Sequence, residues 1–268
     1  MIAGRLVAMA RPVWHIFAWI PGWLVILPSL AQTEEAATST VPVGIFTREN
    51  EVAPQPWRVV RFDTDTPPTR YRITQWDKVM AVEATAAASM ALLARPLDVD
   101  LVKTPVLCWR WRVDAPLKSA DLAKKAGDDY AARVYVAFDL PDDAISWRTR
   151  LKLGLARRLF GDQVPDAALN YVWDNRYPVG TERPNAYTER TQMRVLQSGA
   201  NNAGHWVIER RNVLADAGHA FGKLEFRAKQ LAVASDTDNT GEQAHAGFAD
   251  LHFVGADAAC DFPPVRNE

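Results

Sequence analysis

The residues most ready for chemistry are carboxylates. Asp236, Asp238 and Thr240 stand at alternate positions ahead of Gly241. Oxygen ligands in that spacing, followed by a glycine where the chain must curl, match the opening of a calcium loop. An EF-hand would close with a glutamate at its twelfth position, which here is Gly247, so a calcium ion would have to draw on Asp128, Asp129 or Asp250. The same residues also suit a tight turn in which Asp and Asn side chains bond their own backbone. Asp128 and Asp129 follow Gly127 directly. Adjacent acids repel one another and can raise a pKa far enough for proton transfer, and they serve equally to pair with arginine. A separated pair such as Asp129 with Glu209 would suit glycoside hydrolysis.

A second set of residues could bind rather than react. Arg110, Arg112, Arg133 and Arg211, with Tyr135 among them, offer forked donors that match carboxylate ligands. Tryptophans on an open β-face can stack on sugar rings. Trp109 and Trp111 read as core, whereas Trp173 and Trp147 are the ones to seek at a surface. No serine-centred elbow, phosphate loop or dinucleotide fingerprint is present. His205, His219, His245 and His252 lack metal-binding spacing, and Cys108 and Cys260 lie too far apart to form a zinc signature.

The elements that must position these groups are mostly strands. In 107–113, Leu107, Trp109, Trp111 and Val113 alternate with Cys108, Arg110 and Arg112; in 132–139, Ala132, Val134, Val136 and Phe138 alternate with Arg133, Tyr135 and Asp139. If the two are neighbours in one sheet and send their apolar rows into one core, Arg110, Arg112, Arg133 and Tyr135 share an outer face. Glu209 and Arg211 alternate with Ile208 on a third strand, 205–213, and join that polar side. Further strands are expected over 43–46, 57–62, 69–74, 79–83, 168–173, 191–198, 224–234 and 245–254. The alanine-rich run 85–94 is expected as a strand of small residues. Residues 146–160 show the clearest helical period, with Trp147, Leu151, Leu155 and Leu159 on one stripe. Short helical turns are expected near 119–125 and 216–221. About ten strands without a βαβ rhythm predict an all-β antiparallel sandwich or jelly roll with one substantial amphipathic helix.

Residues 1–31 read as a removable signal peptide: Arg5 and Arg11 precede an apolar run, and Ser29-Leu30-Ala31 supplies the small residues of a cleavage site. A retained anchor is the rival, since the run approaches the roughly 20 residues that cross a bilayer. Prolines and His15 within it favour removal, leaving no stable membrane insertion. A flexible lead-in, 32–42, then precedes one domain over 43–256 and a tail over 257–268. Of 31 basic residues only Arg5 and Arg11 are lost with the leader, against 32 acidic ones that all remain. Such a balance offers nucleic acid no general attraction. Periplasmic or secreted residence would allow Cys108 and Cys260 to bond, or they remain two thiols.

With these segments placed, the chain resembles the exported bacterial family called domain of unknown function 3047. The resemblance rests on Trp109-Arg110-Trp111-Arg112-Val113, Gly127-Asp128-Asp129-Tyr130-Ala131-Ala132-Arg133, Asn170-Tyr171-Val172-Trp173, Ser198-Gly199, Glu209-Arg210-Arg211-Asn212, Phe221-Gly222 and Asp236-Thr237-Asp238-Asn239-Thr240. It implies a shared architecture and brings no activity with it. Cys108 departs from the small residue the family tends to carry there.

The residues therefore lead to an exported β-sandwich that binds a carbohydrate or other anionic small ligand. An acidic sugar is expected, on a face made by Arg110, Arg112, Arg133, Tyr135, Arg211 and Trp173. Two alternatives stand beside it: a glycoside hydrolase or polysaccharide lyase using Asp128, Asp129 or Glu209, and an envelope structural or interaction protein whose arginines are all internally paired.

Overall fold

The computed structural model describes residues 40–146, 165–222 and 225–264. The expected leader and most of the expected helix over 146–160, Trp147 included, lie outside the described residues. Among the described residues, thirteen strands form two sheets: β1 Val41–Gly44, β2 Arg58–Val60, β3 Arg70–Trp76, β4 Val79–Ala87, β5 Leu92–Val99, β6 Val106–Val113, β7 Tyr130–Asp139, β8 Ala167–Asp174, β9 Glu182–Pro184, β10 Thr191–Ser198, β11 Val207–Asn212, β12 Arg227–Asp236 and β13 Gln243–Val254. One sheet runs β11-β6-β13-β4-β3 with β1 added on β13; the other runs β2-β5-β12-β7-β8-β10-β9. Pairing is antiparallel except between β8 and β10, which run parallel. A helix, Val213–Phe221, follows β11 directly, capped by the Asn212 side chain accepting from the Ala215 N–H.

Alternation works as expected on both key strands. Leu107, Trp109, Trp111 and Val113 enter the core from one sheet, and Ala132, Val134, Val136 and Phe138 enter it from the other. Trp109 meets Tyr171 at 5.5 Å between ring centroids, and Trp111 meets Trp173 at 5.8 Å. Burying each large side chain contributes about 1.5 to 3 kcal/mol, so this aromatic layer is a principal bond between the sheets.

The expected pairing of β6 with β7 is corrected. They lie in different sheets, so Arg110 and Arg112 point out of one side of the sandwich and Arg133 and Tyr135 out of the other. Two apolar rows can share a core either as neighbours or as opposite walls, and alternation alone does not choose. Residues 114–129 are too many for a hairpin turn, and they arch from one sheet across to the other. At the end of that arch Gly127 lies so close to Asp121 that a Cβ would stand 2.6 Å from the Asp121 nitrogen.

The run 85–94 is likewise two elements. β4 ends at Ala87, Ala88 turns with a φ of 44°, and β5 begins in the opposite sheet. A third irregularity sits in β13, where Asp250 has a φ of 56° and the register shifts between Ala249 and His252. Before this bulge β13 pairs with β4; after it, β13 pairs with β1.

Candidate functional site

The outer face of the seven-stranded sheet holds a cavity of about 670 Å³. Ala137 of β7, Ala168 of β8 and Ala232 of β12 line it, with side chains too small to fill the space between larger neighbours. Phe62, beyond β2, lines it, as does Tyr187, from the loop between β9 and β10, and both are more than half-open or nearly so. Arg133 and Tyr135 reach it from β7, Asp128 from the arch before β7, and Asp236 and Asp238 from the end of β12.

The polar end is tightly bonded. Arg133 is 3% exposed and pairs with Asp236, itself 1% exposed. The guanidinium also rests 5.0 Å from the Tyr130 ring and 5.2 Å from the Tyr135 ring. Asp236 Oδ1 accepts the Tyr130 N–H at 3.3 Å. Burial pushes the Asp236 carboxyl up, Arg133 pulls against this, and the charges of Asp129, Asp128 and Asp238 push with it. Asp128 accepts from the Tyr130 hydroxyl at 3.2 Å and from Asn185 Nδ2 at 2.9 and 3.0 Å. Asp129 accepts from the Asn239 N–H and Nδ2 and, at 2.7 Å, from the Thr240 N–H. Asp238 is held above the usual carboxylate range, first by burial and then by the charge of Asp129. Burial likewise raises the Tyr135 hydroxyl.

Of the residues singled out in the sequence, Arg133, Tyr135, Asp128, Asp236 and Asp238 meet at this cavity, with Asp129 directly behind. Thr240 lies there too, bonded to Asp129, and the remaining ones are elsewhere. Arg110 pairs with Asp250 at 2.8 Å, donates to the Pro263 carbonyl and lies 5.0 Å from the Phe262 ring. Arg112 pairs with Asp77 and stacks 4.1 Å from the Trp76 centroid. Trp173 is 2% exposed and donates its indole N–H to the Gly199 carbonyl, so it belongs to the core rather than to a ligand face. Glu209 accepts from Trp111 Nε1 at 3.1 Å and from Gln197 Nε2 at 2.7 Å, which ties β11 of one sheet to β10 of the other. Arg211 is bound to Asp216, which also accepts from the Tyr171 hydroxyl.

The calcium reading fits poorly. Carboxylate oxygens of Asp129, Asp236 and Asp238 lie within 4.8 Å of one another. Yet Arg133 already supplies the positive charge at Asp236, and Thr240 offers the group an N–H where a calcium needs an oxygen. These residues form a turn-and-arginine network.

Asn185, Tyr187 and Phe62 escaped the sequence reading. Residues 184–187 are marked as a turn by Pro184 and Asn185, but nothing local shows that the turn folds back over the sheet. The Tyr187 hydroxyl, which bonds the Lys125 carbonyl and Asn239 Oδ1, holds it there.

Together these features define a two-sheet β-sandwich of the jelly-roll class, with an open cavity on the outer face of its larger sheet. The chain belongs to the family described as protein of unknown function DUF3047, whose profile matches residues 55–252. No curated protein matches it. Among solved structures it is similar to a family 12 xyloglucanase from Bacillus licheniformis in complex with ligand, at 10% identity and a TM-score of 0.42, over 82% of this chain and 100% of that one. At that identity and score the likeness says nothing of substrate or of site residues.

Proposed function

We propose that the protein is exported and binds a carbohydrate chain in the cavity of the seven-stranded sheet. The observation that carries this reading is the cavity's make-up: aromatic rings of Tyr135, Tyr187 and Phe62 beside polar groups whose positions are fixed by their own bonds. Sugars present apolar ring faces and hydroxyl edges, and a site of this size and mixture suits them. The ground for expecting an acidic sugar goes with the arginine row. Of the four arginines expected there only Arg133 reaches the cavity, where Asp236 neutralises it; Arg61 also lines it, but with Asp63, Asp128 and Asp238 the acids outnumber the cations. An uncharged sugar suits that balance better.

Export is supported by the bond between Cys108 and Cys260, since disulfides persist in oxidising compartments. Among the described residues no helix is long and apolar enough to cross a membrane. The test is a glycan array followed by calorimetry. Binding of neutral oligosaccharides that weakens on changing Tyr187 or Phe62 to alanine supports the reading; no binding to any glycan removes it.

A hydrolytic reading has one observation in its favour. Asp128 and Asp238 line the same cavity, and burial together with the charge of Asp129 holds the Asp238 carboxyl above the usual carboxylate range, which is the direction a general acid needs. Release of reducing ends that stops in Asp238→Asn would establish it.

A further inference from the structure

The cavity does not exhaust the chemistry of the fold. On the outer face of the other sheet, the tail after β13 turns back over β6, and Cys260 bonds Cys108 across a sequence separation of 152 residues. His252, on β13 beside β6, pairs in register with Cys108. The potential ligand atoms of Cys108, His252 and Cys260 lie within 4.8 Å of one another.

The histidine is prepared in a way that a packed histidine is not. Its Nδ1 lies 2.6 Å from the Asp250 carbonyl oxygen. A carbonyl only accepts, so Nδ1 carries the hydrogen and Nε2 of the neutral ring presents a lone pair. His252 is 1% exposed, and among the described residues that Nε2 has no hydrogen-bond partner. A buried acceptor left unbonded normally costs about 1 to 3 kcal/mol. Donation of the second ring N–H to a backbone carbonyl is also what fixes the tautomer and aim of histidines that bind metals. Val106, Val254, Ala258 and Phe262 pack around the sulfurs, and the Phe262 ring lies 5.4 Å from the imidazole. Cys260 is only half-buried on the tail, which leaves a way in.

We infer that, once its disulfide is reduced, this protein binds one soft or borderline cation, zinc or cuprous copper, through Cys108 Sγ, Cys260 Sγ and His252 Nε2. The reductant is a dithiol: its two thiols become a disulfide as the Cys108–Cys260 bond breaks, and the two electrons and two protons pass to the cysteines as thiols. Metal binding then releases both protons as the thiolates take the ion. Two sulfurs and one imidazole satisfy a trigonal cuprous centre, or zinc with water as the fourth ligand. Bond lengths of about 2.0 Å to nitrogen and 2.3 Å to sulfur require the two sulfurs to part once the disulfide is reduced.

The test uses the purified protein, reduced anaerobically with a phosphine and titrated with cobalt(II) as a spectroscopic stand-in for zinc. Expected is one equivalent bound with a thiolate-to-cobalt charge-transfer band, displaced by zinc and absent from the oxidised protein. His252→Gln should weaken binding at least tenfold, and Cys260→Ser should abolish the band. Zinc should raise the urea midpoint of the reduced protein while leaving the oxidised protein unmoved, which separates a folded site from thiols on an unfolded chain. A reduced protein that takes up no cobalt, or a His252→Gln protein that binds as tightly as the parent, overturns the inference.

Discussion

Replacing Arg133 with methionine is the sharpest test of how the polar end of the cavity is held. The substitution keeps most of the side chain's volume and removes its charge, leaving Asp236 buried without its cation. Breaking a buried pair from one side costs about 3 to 5 kcal/mol, because the remaining charge has no water to replace its partner. Against a total of roughly 5 to 15 kcal/mol for a domain, that is a large share. For a chain of this size it corresponds to a fall in Tm of roughly 6 to 20 °C. Asp236→Asn keeps an oxygen for the Tyr130 N–H while removing the charge, so the double variant leaves neither ion unpaired. Urea unfolding followed by tryptophan emission should show the double variant less destabilised than the sum of the singles, by about 1.5 kcal/mol or more. A pH series adds an independent check. Without Arg133 the folded-state pKa of Asp236 rises further above its unfolded value, so the native state retains the proton longer than the unfolded chain does. The penalty of Arg133→Met should therefore be small near pH 4 and grow as pH rises. Additive single effects, or a penalty that does not change with pH, would refute the account of this pair.

Other expectations follow from single observations. Tyr187→Phe, which keeps the ring but loses its hydroxyl bonds to Lys125 and Asn239, should weaken oligosaccharide binding less than the about tenfold loss expected of Tyr187→Ala, read by calorimetry. Glu209 is raised by burial, so the native state binds more protons than the unfolded chain and Glu209 lowers stability as pH climbs above about 4.3. Glu209→Gln should thus become more favourable relative to the parent between acidic and neutral pH, and parallel stability profiles would contradict this. Gly247→Ala should destabilise by about 1 to 3 kcal/mol, since the new Cβ would stand 2.7 Å from the Trp206 ring and 3.1 Å from the Trp76 ring; a midpoint equal to the parent's would disprove that crowding.

Periodicity showed which side chains of a strand go together, and it did so correctly for Trp109 with Trp111 and for Arg133 with Tyr135. It could not show which strands are neighbours. Two rows of apolar side chains look the same from a sequence whether they are side by side or face to face, and the arch of 114–129 decided for the second. β10 was legible because Thr191–Ser198 alternates Met193 and Val195 with Gln192 and Arg194 between two turns. The 85–94 run was not, because alanine fits a buried strand, a turn or a helix with little preference. The partners of the misplaced arginines were equally hidden: Asp77 and Asp250 are ordinary surface-looking acids until the fold sets them beside Arg112 and Arg110. Asp128, Asp236 and Asp238 were legible as reactive types, yet their meeting depends on β7 and β12 being neighbours, which only long-range register specifies.

The bulge at Asp250 has a bearing on how the protein is made. It lets β13 serve β6, β4 and β1 at once, so the earliest of the described strands pairs with the latest of them. A six-stranded layer lacking its central member cannot close, and the nascent chain stays open until about residue 254 has emerged. Such late closure, dominated by distant pairings, is slow.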